Sequence, residues 1–232
     1  MRPEIKRVFA GLWMGCVVTM VLRSNATMPV SAEVAPMERI NLAKWLVAGK
    51  LKPVNREVAK LEGNNDAVHV NEKSGSGVVW IDGTDFAEGT LEIDIRGRDV
   101  FQKSFVGIAF HGRDDTPYEA VYVRPFNFRS SDPVRHKHAV QYIAPPKYDW
   151  MPLREQFPGE FENPVDASIA PTGWVHLRVA VSGATIQVYV GSTKSPTLNV
   201  RKLGQQDRGM VGLWTGNNSD GDFADLRITP IK

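Results

Sequence analysis

The strongest constraint on this chain is a period of two. The run Gly89-Thr-Leu-Glu-Ile-Asp-Ile-Arg96 alternates apolar and polar side chains, and Trp174-Val-His-Leu-Arg-Val-Ala-Val181 does the same. In an extended strand successive side chains point to opposite faces, so each run offers one face to a core and one to water. After the second run, Ser182-Gly183 breaks the pattern and Thr185-Ile-Gln-Val-Tyr-Val190 resumes it, a tight hairpin signal. Similar short runs recur, bounded by turn residues. They predict strands at 56–61, 67–72, 77–81, 89–97, 104–111, 118–128, 138–144, 173–182, 184–191, 196–202, 209–214 and 222–229. No long helical pattern lies between them. Such a chain is all-β and folds as a two-sheet sandwich or a barrel rather than a parallel α/β sheet. A short helix is expected within 38–52, where Ile40, Ala43, Trp45, Leu46 and Val47 follow a helical stripe. The segment 145–172 has six prolines and little periodicity, which suits a functional or mobile connection.

The N-terminus reads differently. Arg2, Lys6 and Arg7 precede Val8–Leu22, an uncharged apolar run of 15 residues, and small residues follow at Ser24-Asn25-Ala26 and Val30-Ser31-Ala32. That pattern predicts a secretory signal peptide over 1–26, with cleavage as late as 32. An uncleaved anchor is the alternative, although the run is shorter than the roughly 20 residues a spanning helix needs. Cys16 sits inside the run and behind Trp13-Met14-Gly15, a poor lipobox. The expected organisation is then a signal, an N-terminal extension over 27–52, and a sandwich over 53–232. The product is exported, secreted or periplasmic, and meets the membrane only through its signal. Removing Arg2, Lys6, Arg7 and Arg23 with Glu4 takes the formal charge from +2 to −1 and removes the single cysteine. A near-neutral chain with dispersed charge and no basic stripe is not expected to bind nucleic acid. No disulfide framework or cysteine zinc module is available. Phosphate-binding, dinucleotide-binding, nucleophile-elbow and H-E-x-x-H motifs are all missing.

Several strings carry a resemblance. They are Gly89–Gly97, Phe105-Val-Gly-Ile-Ala-Phe-His-Gly112, Val121-Tyr-Val-Arg-Pro-Phe-Asn127, His176–Val181, Val188-Tyr-Val190, Val211-Gly-Leu-Trp214 and Phe223-Ala-Asp-Leu-Arg-Ile228. With their order, they resemble the concanavalin A-like superfamily of lectins and glucanases over about 38–230. The nearest branch is the 3-keto-disaccharide hydrolase-like domains related to family 16 glycoside hydrolases. The resemblance implies an antiparallel two-sheet jelly roll and a role in carbohydrate chemistry. One such sandwich hosts lectins, hydrolases, lyases and interaction modules, so the fold does not choose among them.

Four groups of residues could carry chemistry. Glu92 and Asp94 share the polar face of their strand, and paired carboxylates are the basis of glycoside hydrolysis. The resembling glucanases carry Glu-x-Asp-x-Glu there, whereas Arg96 and Gly97 replace the third acid here. The other reading is a solvated face with Arg96 neutralising Asp94. Tyr118, Tyr122, Arg124 and Phe126 also share a face, where rings can stack on a sugar and a guanidinium can reach hydroxyls or a carboxylate. Pro125 suggests a bulge or edge that re-aims Asn127. The alternative is an aromatic ridge packed under the 145–172 loop. Among the histidines, His111 closes a strand near the expected cleft and is the functional candidate. His136 and His138 form an H-x-H pair expected on a strand, with Arg135 and Lys137 opposing a cation. His176 reads as an outward, satisfied residue. Lastly, Asn217–Asp222 offers Asp220 and Asp222 as weak ligands for Ca²⁺ or another divalent ion, or else a plain turn. No cofactor is firmly implied.

The leading expectation is an exported sandwich that binds a carbohydrate on its concave face through Tyr122, Arg124, Asn127, Gln141 and Trp150. The second is a glycoside-acting hydrolase or lyase in which Glu92, Asp94 and His111 act as catalytic residues. The third is a structural or protein-interaction domain. Convergence separates them. The carbohydrate readings need Arg124, Gln141, His111 and the acidic pair in one cleft.

Overall fold

The alternating runs become the centre of one sheet. In the computed structural model, which describes residues 36–114 and 116–231, Gly89–Arg96 is strand β6 and Val175–Ser182 is β11, paired antiparallel with Leu91 opposite Val179. The predicted signal at 1–26, or to 32, lies outside the described residues. In chain order the remaining elements are β1 (Glu38–Ile40), α1 (Leu42–Val47), β2 (Leu51–Val54), β3 (Val58–Lys60), β4 (Val68–Val70), β5 (Gly77–Ile81), β7 (Val106–Gly112) and β8 (Glu119–Val123). Then come a 3₁₀ turn (Pro125–Asn127), α2 (Pro133–Lys137), β9 (Val140–Ile143), α3 (Trp150–Gln156) and β10 (Glu162–Asn163). The chain closes with β12 (Thr185–Val190), β13 (Leu198–Arg201), β14 (Met210–Thr215) and β15 (Gly221–Pro230). The first sheet has the order β13-β12-β11-β6-β15-β4-β3, with β1 also on β15, and the second has β10-β9-β8-β7-β14-β5-β2. Every pairing is antiparallel, so this is a two-sheet jelly-roll sandwich.

The inner faces make the core. Leu91, Ile93 and Ile95 of β6 and Leu177, Val179 and Val181 of β11 face Val106, Ile108, Val121, Val123 and Leu213 of the second sheet, all buried. The outer face of β6 keeps the alternation, with Glu92, Asp94 and Arg96 half-buried. The second sheet does not: β5, β7, β8 and β9 are buried at every position. Its outer face is therefore covered as well, and that difference places the site.

Several expectations need correction. The helix expected within 38–52 is α1 alone, capped where Asn41 Oδ1 accepts the Lys44 N–H (2.8 Å) and ended by Gly49 at φ +68°. Strands β1 and β2 flank it, so the sheets take in residues before 53. Both strands are too short to show a period. His136 and His138 do not share a strand. Asp132 accepts the N–H groups of Val134 and Arg135 and Pro133 opens α2, a helix start that outweighs the H-x-H alternation. The strand expected over 118–128 stops at Val123, because Pro125 lacks the hydrogen a ladder needs.

His111 is not beside the outer face. Its φ of +56° breaks the alternation of β7 and turns the ring into the interior, fully buried and stacked on Phe86 at 5.8 Å. There Nδ1 lies 2.7 Å from Glu119 Oε1, and Nε2 lies 2.7 Å from the Ala87 carbonyl, so Nε2 carries a hydrogen. Tyr142 donates its hydroxyl to the other Glu119 oxygen and accepts the Leu203 N–H at 2.9 Å. The chain Ala87–His111–Glu119–Tyr142–Leu203 thus ties two connections to three strands inside the core. Every member is satisfied, which is the condition for a buried polar network to hold a fold together. Glu119→Ala strands a buried imidazole, so urea unfolding should show a loss of about 3–5 kcal/mol. Glu92→Ala on the outer face of β6 should change stability by about 1 kcal/mol or less in the same assay.

Candidate functional site

A missing side chain builds the floor. Gly107 of β7 stands opposite Tyr122 of β8 on one side and Trp214 of β14 on the other. Strands two apart are separated by about 9–10 Å, so their rings meet only if nothing rises between them. A Cβ at Gly107 would sit 2.0 Å from the Val121 carbonyl oxygen and 2.7 Å from Tyr122 Cβ. With glycine there, Tyr122 and Trp214 stack at 4.6 Å between centroids, 29° from parallel. Trp214 Nε1 donates to Tyr118 Oη at 3.0 Å. Phe105 meets Tyr122 edge-on (6.1 Å), Phe126 meets Phe105 (5.5 Å), and Phe101 meets Phe126 (5.7 Å), so a ladder of rings climbs to the surface.

Above this floor opens a cleft of about 450 Å³. The polar groups come from the chain that follows β8. Arg124 is buried (5% exposed), with its guanidinium over the Tyr122 ring at 4.9 Å. Its Nη1 donates to the His138 carbonyl (2.9 Å), while Nη2 donates to Tyr122 Oη (2.8 Å) and to Gln141 Oε1. Tyr122 Oη also donates to Gln141 Oε1 at 3.1 Å. Gln141 thus lies beneath the cleft and fixes the two groups that line it. Asn127 is carried in by the 3₁₀ turn and donates from Nδ2 to the His138 carbonyl at 3.2 Å. Its Oδ1 is buried without a partner among the described residues.

The opposite wall is α3. Asp149 caps it by accepting the Trp150 N–H at 2.7 Å. Trp150 is exposed at the rim with the Arg154 guanidinium 5.3 Å over its ring. Arg154 grips the buried Glu162 of β10 with two bonds, at 3.1 and 2.8 Å. His138 Nδ1 also lies 2.7 Å from Glu162 Oε2, close in distance but not aligned as a hydrogen bond. Burial pushes the His138 pKa down, against the pull of Glu162. On the outer rim, Arg135 sits over Phe101 at 4.3 Å.

The residues singled out from the sequence therefore divide. Tyr122, Arg124, Asn127 and Trp150 line one cleft, with Gln141 directly under it. Glu92 and Asp94 are on the far side of the sandwich, on the outer face of the first sheet. There His176 bridges them, with Nδ1 2.8 Å from Asp94 and Nε2 3.4 Å from Glu92. Arg96 does not neutralise Asp94. It pairs with Asp222 at 2.7 Å, which also meets His69 at 2.7 Å. Asp220 pairs with Arg98 at 2.6 Å. Cationic side chains thus already occupy the two carboxylates offered to a metal. No group of three or more His, Cys, Asp or Glu among the described residues is arranged to hold one. The convergence required of the carbohydrate readings is therefore not met as stated, since His111, Glu92 and Asp94 lie elsewhere. What does come together is Tyr122, Arg124, Asn127 and Trp150 over Gln141, and a saccharide reading has to rest on these five alone.

The alternation of β8 signalled Tyr122, but the sequence reading missed Trp214, Phe105, Asp149 and Arg154. An Asp followed by Trp and, four residues later, Arg is a capped helical turn inside the proline-rich segment, and that signal was available. Gly107 carried none by itself, since its role depends on which strands lie either side of it.

Burial also marks the phenols. Tyr122 is pushed up to about 12 by burial, with Arg124 opposing. Burial pushes Tyr118 up, and burial together with Glu119 pushes Tyr142 up. Three of the five tyrosines should therefore resist ionisation near pH 10 in an ultraviolet titration. Each is raised above its unfolded value of 10.0, so the linked stability is full below pH 10 and falls as pH rises. For Tyr122 the loss runs towards pH 12. Separately, Gly107→Ala should lower stability by about 1–3 kcal/mol or more and remove the near-ultraviolet circular dichroism of the Tyr122–Trp214 stack.

No protein-family model matches the chain, and no curated protein matches it. Solved structures share its fold. The carbohydrate binding module CBM66 from Bacillus subtilis matches with a TM-score of 0.54 and 14% identity, covering 77% of this chain and 94% of that one. A Bacillus subtilis protein of unknown function with a galectin-like fold matches at 0.57 and 10%, covering 87% and 99%. The VIP36 exoplasmic/lumenal domain, in a Ca²⁺/Man3GlcNAc-bound form, matches at 0.53 and 10%, covering 80% and 85%. The fold is that of the concanavalin A-like and galectin-like sandwiches.

Proposed function

We propose that this chain is a carbohydrate-recognising sandwich whose cleft between the Tyr122–Trp214 floor and Trp150 takes a saccharide. One observation carries the reading: Asn127 is more than nine-tenths buried at the cleft, its Nδ2 donates to the His138 carbonyl, and its Oδ1 has no partner among the described residues. An unpaired buried acceptor costs free energy until a donor arrives, and a sugar hydroxyl is such a donor. The exposed Trp150 ring at the rim suits the apolar face of a pyranose, and Arg124 is held ready to donate. Two proteins of the same fold are described as a carbohydrate binding module and as a Man3GlcNAc-bound form, which accords with this reading. The basic start, short apolar run and small-residue sites at the N-terminus support an exported protein.

Binding rather than turnover is the better reading of the cleft. Glu92, Asp94 and His111, the residues offered for catalysis, are all elsewhere. Of the carboxylates near the cleft, Glu162 is held by Arg154 and His138, and Asp149 caps α3. A glycan array followed by calorimetry tests the proposal. The wild-type chain should retain at least one saccharide, and Trp150→Ala and Asn127→Ala should each weaken it several-fold to about tenfold without loss of fold. Failure to retain any saccharide, or retention indifferent to both substitutions, would overturn it. Turnover of glycosides or 3-keto-glycosides that Glu92→Gln or Asp94→Asn abolishes would restore the enzyme reading.

A further inference from the structure

The chain buries two arginines near this cleft; neither pairs with a carboxylate among the described residues, and they differ in how far their donors are satisfied. Arg56 spends its donors inside the protein, on Thr215 Oγ1 and on the carbonyls of Asn55, Gly75, Thr215 and Gly216, at 2.6–3.1 Å. It clamps the loop after β2 to the end of β14, and its role ends there. Arg124 is as deeply buried, but it bonds only the His138 carbonyl, Tyr122 Oη and Gln141 Oε1. Its Nε donates to no described residue and Nη1 makes a single bond, and neither atom is sealed from the cleft. No carboxylate of those residues comes within 4.0 Å of its guanidinium. Tyr122 is no counter-ion, since burial keeps its phenol protonated.

The rest of the lining does not cancel this charge. Arg154 is neutralised by Glu162. Arg135 has no carboxylate partner either, and its buried Nε is unbonded. Among the described residues Asp149 is the single carboxylate in the lining, turned to the N-terminus of α3. The cap bond leaves the Asp149 charge in place, so two guanidinia without a salt-bridge partner face one carboxylate and the lining keeps an excess of positive charge. A buried charge without a partner is costly, and an incoming anion lifts that cost while forming charge-assisted hydrogen bonds stronger than neutral ones. A neutral hydroxyl satisfies a hydrogen but leaves the charge.

We propose that the saccharide bound here carries a carboxylate, as a uronic acid does, and that Arg124 receives that carboxylate. This rests on the cleft being a saccharide site. The test is a calorimetric panel on the wild-type chain: oligogalacturonate, oligoglucuronate and oligomannuronate, each beside its fully methyl-esterified form, with neutral glucan and mannan oligosaccharides as a third arm. At least one acidic oligosaccharide should bind about tenfold or more tighter than its ester. Arg124→Gln should bring that ratio close to one, while Arg178→Gln, on the first sheet, should leave it unchanged. Should Arg124→Gln fail to fold, competition by polyglutamate decides in the wild type: a polyanion without sugar rings should not displace the acidic oligosaccharide. Esters or neutral sugars binding as tightly as acids would overturn the carboxylate while leaving the saccharide site standing. No saccharide bound in any arm would overturn both. A preference that survives in folded Arg124→Gln, or yields to polyglutamate, would assign it to surface charge and overturn the role of Arg124.

Discussion

A sheet buried on both faces has no free side for water, and most of this molecule follows from that. The inner face of the second sheet meets the first sheet in the ordinary way. Its outer face carries Tyr122, Trp214, Trp80 and Tyr118, apolar area far too large to leave exposed on a strand face. The chain covers it with the 97–105 loop, the turn after β8 and α3. Where that cover is incomplete, between α3 and the Phe101–Phe105–Phe126 ladder, the cleft remains. Polar groups at such a place are desolvated, and most are held by another, Asn127 Oδ1 and the free donors of Arg124 excepted. Gln141 under Arg124 and Tyr122 does this, and so does the His138 carbonyl shared by Arg124 and Asn127.

The same burial separates the two kinds of chemistry the chain could have offered. Carboxylates on the first sheet stand half in water and meet whatever partner is near: His176 lies beside Glu92 and Asp94, and Arg96 and His69 beside Asp222. That is an ordinary solvated face, where single ion pairs contribute little. Carboxylates on the second sheet are buried and must be matched in advance: Glu119 by His111 and Tyr142, Glu162 by Arg154 and His138. Neither set faces the cleft as a free acid and base. What faces it is a guanidinium, an amide oxygen and aromatic rings, which is the equipment of recognition.

Much of the architecture was legible from periodicity. β6 and β11 pair as strands with the apolar faces their alternation assigns, and the hairpin at Ser182-Gly183 joins β11 to β12. The short elements were not legible. β1 and β2 are three and four residues long, too few for a period to appear. α2 and α3 were hidden for another reason: their capping aspartates, Asp132 and Asp149, sit in segments whose prolines suggest loop. The cleft was partly legible. Alternation put Tyr122 and Arg124 on one side of β8, and the polar residues after it drew attention to Asn127. His111 was misplaced because one positive φ reverses the face of a strand residue, and alternation cannot anticipate it.

The sequence alone determined which residues alternate, and hence that the chain makes strands with one greasy face and joins them into a sandwich. That information is local, since side-chain direction in a strand depends only on parity. Tertiary structure alone decided which strands became neighbours across Gly107, which sheet was buried twice, and which charges found partners. Those outcomes depend on pairings between residues far apart in the chain. For that reason Glu92 and Arg124, both candidates on paper, ended on opposite sides of the molecule, one half-exposed beside a histidine and the other buried without a counter-ion.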